Sequence, residues 1–236
     1  MESKGLPPLA RKLVRAARRI QTYPLLRVGQ FSSSRPLSKA FGFDRGTPID
    51  RFYIEGFLER HSADIRGHVL EVGDDSYSRR FGGDGIDKQD VLHIHAGNPA
   101  ATIIGDLADP ATLPTDRFDC VILTQTLQYV FDVEAAVANI RRSLREGGVA
   151  LISVPALSPL FEDEWKASHY WLFTSLALER LLAAQFDRNK ISVAAHGNLY
   201  AATAFLHGAA VEEVRSNKLR KTDSSYPVTI TARAVA

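Results

Sequence analysis

The chain has 236 residues, of which 45% are hydrophobic and 24% are charged, a composition that suits one sizeable α/β domain. No apolar run reaches the roughly 18 residues of a membrane helix, and no signal-peptide core follows Met1, so we expect a cytoplasmic protein. The single cysteine, Cys120, lies in a predicted strand, which excludes an intrachain disulfide and a multi-cysteine metal site. We predict no metal centre.

The N-terminal 45 residues are strongly basic. They contain ten Lys or Arg against Glu2 and Asp44, a net charge of about +8, whereas the rest of the chain is net negative. Apolar residues from Leu9 to Ile20 recur at helical spacing, with basic residues on the opposite side, which predicts an amphipathic basic helix. This helix either packs on the domain or contacts an anionic surface, an acidic partner or a phosphorylated substrate.

The serine-rich segment 30–39 is predicted to be a linker, and a second helix is predicted from Pro48 to His61 with Thr47 as its N-cap. We assign residues 1–62 to an N-terminal segment that belongs to the fold and residues 63–236 to the main domain. Five strands are predicted in that domain, followed by an alternating antiparallel pair at 191–195 and 228–234. The five strands lie at 69–73, 90–95, 102–107, 118–125 and 147–155, with helices predicted at 133–145 and 175–186.

Two of the connections between predicted parallel strands are unusually short. Segment 76–85 contains three glycines and has room for little more than one helical turn, and only five residues separate His95 from Ala101. A parallel crossover normally carries a helix that covers the sheet. We therefore expect the N-terminal helices to cover strand residues such as Val69 and Val91.

The order and spacing of the strand motifs resemble those of class I S-adenosylmethionine-dependent methyltransferases, from about Gly67 to the C-terminus. The matching motifs are Val69–Gly73, Thr102–Leu107, Phe118–Gln125 and Gly147–Pro155, with 144–148 as the usual loop into the last of them. The resemblance implies a Rossmann-like, mostly parallel sheet with an antiparallel C-terminal strand and S-adenosylmethionine as cofactor. Asp74 and Asp75 agree with that cofactor, because carboxylates would repel the phosphates of NAD or FAD.

By this resemblance, the cofactor lies at the carboxyl ends of the strands. Gly73 would approach its methionine part, Asp106 would accept from the adenine amine, and Leu107 would pack on the adenine ring. The full predicted set of cofactor-binding residues is Glu71, Gly73, Asp75, His95, Asp106, Leu107, Thr124 and Gln125.

The sequence departs from the family at two places. Asp75 and Tyr77 stand where the family has two further glycines, and the second predicted strand ends in His95 instead of the acid that accepts from the ribose hydroxyls. Neutral imidazole has a single acceptor nitrogen, so this exchange weakens binding by on the order of 1 kcal/mol. Both departures favour the alternative hypothesis of a non-catalytic binding or assembly module.

The acceptor side is predicted from two segments. His169 is the candidate general base, and Tyr170 and Trp171 are candidate pocket residues, because segment 165–174 resembles the one that borders the acceptor in small-molecule O-methyltransferases. Segment 45–53 resembles the N-terminal lid of many small-molecule methyltransferases, which implies that Arg51 and Tyr53 bind the cofactor's carboxylate or an acidic acceptor.

The resemblance therefore implies O-methylation of a small molecule, for which we expect a sugar or glycan precursor. We do not expect nucleic acid as the substrate, because the basic excess is confined to one segment. A third hypothesis is a protein that binds a ligand in the same site but catalyses a different reaction. The sequence also permits a homodimer.

Overall fold

A computed structural model describes residues 33–160 and 165–236, which form one seven-stranded sheet with helices on both faces. The strand order is β3-β2-β1-β4-β5-β7-β6, with β7 antiparallel to both of its neighbours and the other pairs parallel. The strands are β1 (Gly67–Val72), β2 (Ile86–His93), β3 (Ile103–Ile104), β4 (Phe118–Thr124), β5 (Leu144–Pro155), β6 (Ile191–His196) and β7 (Thr229–Val235). The predicted fold class, a Rossmann-like sheet with an antiparallel C-terminal strand, is confirmed.

Six α-helices accompany the sheet within the described ranges, joined by short 3-10 turns. They are α1 (Ile49–Arg60), α2 (Ser76–Gly82), α3 (Val133–Ser143), α4 (Ser175–Ala183), α5 (Leu199–Leu206) and α6 (Ser216–Leu219). None of them is long and apolar enough to cross a membrane. The basic helix predicted from Leu9 to Ile20 and the start of the predicted linker lie outside the described residues.

Helices α3 and α4 each begin at a side-chain N-cap and pack on the sheet through an apolar face. The Asp132 carboxylate accepts from the Ala135 amide at the start of α3, and the Thr174 hydroxyl accepts from the Ala177 amide at the start of α4. The apolar faces of these helices pack on one sheet face, where Leu70, Val121 and Ile152 are buried. Helix α4 ends at Ala183, three residues before the predicted end, and beyond it the Gln185 and Phe186 amides both donate to the Leu182 carbonyl.

Helix α1 covers the other face of the sheet. Ile54, Phe57 and Leu58 are 0–4% exposed and pack against Val69 of β1 and residues of β4 and β5. The predicted cap is wrong, since Pro48 is the N-cap and the Thr47 hydroxyl donates to Glu212 at 2.8 Å. Burying these three apolar side chains contributes about 1.5–3 kcal/mol each, so α1 is part of the core.

The crossovers between β1 and β3 are short, although the first carries a longer helix than the single turn predicted from its glycines. Helix α2 has seven residues, about two turns, and residues 94–102 between β2 and β3 contain no helix. Val69 and Val91 are nevertheless 0% and 2% exposed. The described part of the N-terminal segment is tied to the rest of the fold by polar contacts too, including an Arg45–Glu213 ion pair and a Leu37 amide that donates to the His207 carbonyl at 2.7 Å.

Candidate cofactor and acceptor site

A cavity of about 1050 Å³ opens at the carboxyl ends of the parallel strands, where β1 and β4 lie side by side in the middle of the sheet. This is the topological switch point at which open α/β sheets bind their ligands. We call the part lined by Gly73, His93, His95, Asp106 and Leu107 the β1 side. We call the part lined by Gln128, Leu157, Phe205, Val228 and Thr229 the β7 side.

The β1 side is built around Gly73. Its φ of +99° suits glycine, and a Cβ added there would meet no atom within 4 Å, so the chain leaves open space towards the cavity. Its amide donates to the Leu92 carbonyl at 2.9 Å, and its carbonyl accepts from Asn98 Nδ2 at 2.6 Å. Asn98, which sequence reasoning passed over as part of a short loop, thus ties the loop after β2 to the end of β1.

Glu71 and Asp75 do not line the cavity. The Glu71 carboxylate is 2% exposed and accepts from the amides of Tyr77 and Ser78 at 3.2 and 2.7 Å, so it caps α2. Burial raises the pKa of Glu71 to about 7, against the effect of those hydrogen bonds. Asp75 is paired with Arg79 at 2.6 Å, one turn further along α2.

The end of β2 lies two residues earlier than predicted. His93 is the last strand residue, and His95 follows in an exposed loop, so the placement of His95 at the strand end is wrong. Both histidines line the cavity, and the His95 amide donates to His93 Nδ1 at 3.1 Å. Asp90 lies inside β2, where it is held by His68 at 2.6 Å and Thr102 at 2.8 Å, so no acid takes the ribose position there.

Asp106 and Leu107 both line the β1 side. Asp106 is exposed and one of its carboxylate oxygens accepts from the Ala108 amide at 2.9 Å, which leaves the second oxygen for a ligand. Leu107 is 4% exposed, and its carbonyl accepts from Asn139 at 2.9 Å.

The end of β4 separates the two sides of the cavity. Thr124 and Gln125 line it, and Gln125 has a φ of +49°, which is strained for a residue with a side chain. The Gln125 carbonyl accepts from Gln128 Nε2 at 2.9 Å. Gln128 is 2% exposed, and its Oε1 has no hydrogen-bond partner among the described residues.

The β7 side is apolar apart from two buried side-chain oxygens. Thr229 pairs with Pro155 in the sheet, is 0% exposed and lines the cavity. Its Oγ1, like Gln128 Oε1, has no partner in the part of the chain that the structure describes. Neither residue was predicted as a site residue, because a threonine in a strand and a glutamine in a helix entry are common in structural roles.

The aromatic segment after β5 contributes one predicted residue to the cavity. Tyr170 lines it, while the Trp171 indole donates to the Val130 carbonyl at 3.0 Å and lies outside the lining. His169 is also outside the lining, with its ring edge-on to Tyr129 at 5.2 Å. A general base must reach the proton that it removes, so this geometry does not favour His169 for that role.

Segment 39–51, which we call the lid, closes the cavity from the N-terminal side. Arg51 lines the cavity and donates from Nη1 to the Tyr77 hydroxyl at 3.2 Å, and its neighbour Asp50 lines the cavity as well. Burial raises the pKa of Asp50, although the Arg51 charge opposes the shift. Tyr53 faces away: its hydroxyl donates to the Leu219 carbonyl at 3.0 Å, and burial raises its pKa to about 12.

The lining suits a cationic, hydroxyl-bearing cofactor. Carboxylates at Asp50 and Asp106 can accept from amino groups, Gly73 permits close approach of a ligand, and buried Leu107 offers an apolar contact for an adenine ring. Ligand pockets typically measure about 300–1000 Å³, so 1050 Å³ leaves room for a small second molecule. The described residues contain no group of three or more His, Cys, Asp or Glu side chains arranged to hold a metal ion.

Comparisons with known proteins agree with this geometry. Solved structures similar to the chain include an S-adenosylmethionine-dependent methyltransferase from Archaeoglobus fulgidus, at 10% identity and a TM-score of 0.52 over 79% of this chain and 94% of that one. The [4+2]-cyclase SpnF matches at 12% identity and a TM-score of 0.51, over 78% of this chain and 80% of its own. A search of curated proteins gives no match.

A family model described as a methyltransferase domain matches residues 39–205, which is more than half of the chain. That range begins in the lid and ends in α5, so it contains the whole β1 side and the part of the β7 side that precedes Val228. The chain therefore belongs to the class I S-adenosylmethionine-dependent methyltransferase family, and its cofactor is S-adenosylmethionine.

Proposed function

We propose that this protein transfers the methyl group of S-adenosylmethionine to a hydroxyl oxygen of a small molecule, and that a sugar or glycan precursor is the acceptor. The observation that carries the proposal is the β7 side of the cavity, which continues beyond the residues suited to the cofactor. Gln128 and Thr229 line this side, and their buried oxygens Oε1 and Oγ1, which have no partner among the described residues, would bond to a ligand that displaced their packing.

The walls of the cavity support a sugar-like acceptor. Tyr129, Phe131, Tyr170 and Phe205 supply aromatic surface, on which the apolar face of a sugar ring can pack. A buried oxygen without a partner has a free-energy cost of about 1–3 kcal/mol. A hydroxyl-rich ligand that reached Gln128 and Thr229 would remove that cost, so binding would favour it over a purely apolar molecule.

The chemistry requires mainly correct placement. The cofactor supplies an activated methyl group on a sulfonium, and in-line transfer to an oxygen depends on holding the two molecules in position. In this proposal Gln128 orients the acceptor hydroxyl by accepting its hydrogen bond, Tyr170 confines the acceptor, and the released proton leaves to water at the open mouth. His169 and Trp171 have no chemical step, because neither lines the cavity.

The β1 side would hold the cofactor with Gly73, Asp106 and Leu107, which all line it. His95 lines it too and would contact the ribose, with His93 beside it. Thr124 and Gln125, at the end of β4, would lie between cofactor and acceptor.

The second candidate function is a non-catalytic binding module. One observation favours it: Asp75 and Tyr77 replace loop glycines, and the α2 amides that follow are occupied by Glu71. Such a protein would keep the cavity and its acceptor but would release no S-adenosylhomocysteine.

The test is a product assay that measures S-adenosylhomocysteine with a panel of free, nucleotide-linked and lipid-linked sugars. We expect turnover with one of these classes, a large loss in Gln128→Leu, and unchanged S-adenosylhomocysteine affinity in that variant. Gln89→Leu is the matched control, because Gln89 Oε1 is also buried, also has no partner among the described residues, and lies outside the cavity. Cofactor binding with no turnover on any sugar would instead support the non-catalytic module.

A further inference from the structure

We propose that Asp50 and Arg51 of the lid bind the amino and carboxylate groups of the cofactor's methionine part, in place of the glycine-rich loop. This inference rests on the cofactor assignment and does not depend on which acceptor is methylated. It concerns the one part of the β1 side where the usual loop is missing.

The backbone amides at the start of α2, which would otherwise bind the methionine part, are already engaged. The amides of Tyr77 and Ser78 donate to Glu71, and the Ser76 amide donates to Asp74 at 2.8 Å. These are the first amides of α2, the place where a helix would normally bind an anion. The Glu71 carboxylate accepts one of these amides on each oxygen and is 2% exposed. The first amides of α2 are therefore occupied, and Glu71, Asp74 and Asp75 all lie outside the cavity lining.

Arg51 can replace the missing donors. It lines the cavity, its guanidinium lies 5.8 Å from the Phe43 ring centroid and 6.0 Å from that of Tyr77, and Nη1 donates to the Tyr77 hydroxyl. Among the described residues it has no carboxylate within salt-bridge distance. A guanidinium held on two rings, with donors left over, is suited to binding a carboxylate.

Asp50 can replace the missing acceptor. It lines the cavity, and its only hydrogen bond among the described residues is the Arg51 amide to Oδ1 at 2.9 Å. Its second oxygen is free to accept from an ammonium group. Adjacent opposite charges on the lid thus match the adjacent opposite charges of an amino acid.

The Asp50–Arg51 pair, which we call the clamp, also explains a position at which the sequence departs from the family. Tyr77 stands where the family has a glycine, and its hydroxyl and ring fix Arg51 against the cavity. Tyr77 is therefore a positioning residue that acts through Arg51. Tyr77 thus replaces a loop glycine and also holds Arg51, the lid residue proposed to bind the methionine carboxylate in place of that loop.

The test compares two ligands by calorimetry: S-adenosylhomocysteine, which has the amino acid part, and 5′-methylthioadenosine, which lacks it. Asp50→Asn and Arg51→Met should each weaken S-adenosylhomocysteine by about tenfold or more and leave methylthioadenosine within about twofold. Tyr77→Phe should give a smaller loss, and no added loss in the Arg51→Met background. Controls on the same helix are Glu55→Gln, which pairs with Arg80 outside the cavity, and Arg60→Met.

The possible outcomes distinguish failure of the clamp from failure of the cofactor assignment. Unchanged S-adenosylhomocysteine affinity in Asp50→Asn and Arg51→Met, or equal loss for both ligands, would overturn the clamp and leave the cofactor site standing. An Asp50→Asn variant that binds normally but no longer turns over would overturn it as well, in favour of a proton-transfer role. Wild-type protein that binds neither ligand would overturn the clamp together with the cofactor site.

Discussion

The two sides of the cavity differ in how their polar groups are satisfied. Next to the β1 side, Glu71 accepts from two α2 amides and Asp75 pairs with Arg79, and neither carboxylate lines the cavity. On the β7 side, Gln128 and Thr229 have buried oxygens without described partners. In the proposed account, the lid binds the cofactor's methionine part on the β1 side, and the β7 side binds the acceptor.

The largest effect is expected where the lid joins the core. If α1 is part of the fold, Phe57→Ala should lower the free energy of unfolding by about 3–5 kcal/mol, because the 4% exposed ring packs on β1 and β4. Leu176→Ala on α4, 58% exposed, should change it by less than about 0.5 kcal/mol. Urea unfolding measures both, and equal small losses would mean that α1 is not needed for the core.

Asp106 tests the β1 side. Asp106→Ala should weaken S-adenosylhomocysteine by about 1–3 kcal/mol, since the adenine amine would lose its acceptor. Asp109→Ala is the control, because Asp109 accepts from the Ala111 amide in the same loop and does not line the cavity. Calorimetry that found the two variants alike would remove Asp106 from the cofactor site.

The pH dependence of stability tests the packing behind the β7 side. His196 pairs with Thr229 in the sheet, and burial lowers its pKa to about 4. The unfolded chain takes up this proton near pH 6.5 and the folded chain does not. The contribution of His196 to stability is therefore lost as pH falls from about 6.5 to 4, by on the order of 1–3 kcal/mol.

Unfolding of wild type and His196→Gln in urea at pH 7 and pH 5 measures this contribution. The variant should lose less stability than wild type over that range, because it has no imidazole to protonate in the unfolded state. Parallel losses would show that His196 is not held neutral.

The histidines at the end of β2 should have a smaller effect. If either contacts the ribose, replacing it by aspartate should tighten S-adenosylhomocysteine binding by on the order of 1 kcal/mol, because a carboxylate can accept from both hydroxyls. His93→Asp and His95→Asp are measured side by side, since His93 ends the strand and His95 follows in the loop. Unchanged or weaker binding in both folded variants would separate these residues from the ribose.

The smallest stability effect is expected on the β7 side itself. Because Thr229 Oγ1 has no described partner, Thr229→Val should leave the free energy of unfolding unchanged or raise it by up to about 1 kcal/mol. Methyl transfer should fall through a higher KM for the acceptor, while S-adenosylhomocysteine affinity stays constant. A clear loss of stability would show that the hydroxyl supports the sheet, and unchanged KM would remove it from the acceptor site.

The sequence predicted the strands of the sheet but only some of the residues that line the cavity. Strand motifs, the antiparallel pair and the short crossovers depend on local periodicity and glycine content, which one sequence shows directly. The direction in which a side chain points depends on tertiary packing. Tyr53 is thus two residues from cavity-lining Arg51 but is turned towards Leu219, and Asp50, which lines the cavity, carried no separate signal.

The same limit explains the acceptor residues. The aromatic segment after β5 was recognised, but only the fold shows that Tyr170 faces the cavity while His169 packs on Tyr129. Gln128 carried no signal as a site residue, because a glutamine in a helix entry is common in structural roles. Its importance depends on a buried oxygen without a described partner, which no sequence pattern reveals.

The central claim is that this cavity is a working S-adenosylmethionine site despite its altered loop. Titration of the wild-type chain with S-adenosylhomocysteine in a calorimeter tests it most directly. We predict one site per chain with a dissociation constant in the micromolar range. The absence of binding heat with the ligand at millimolar concentration, in folded protein, would contradict the claim.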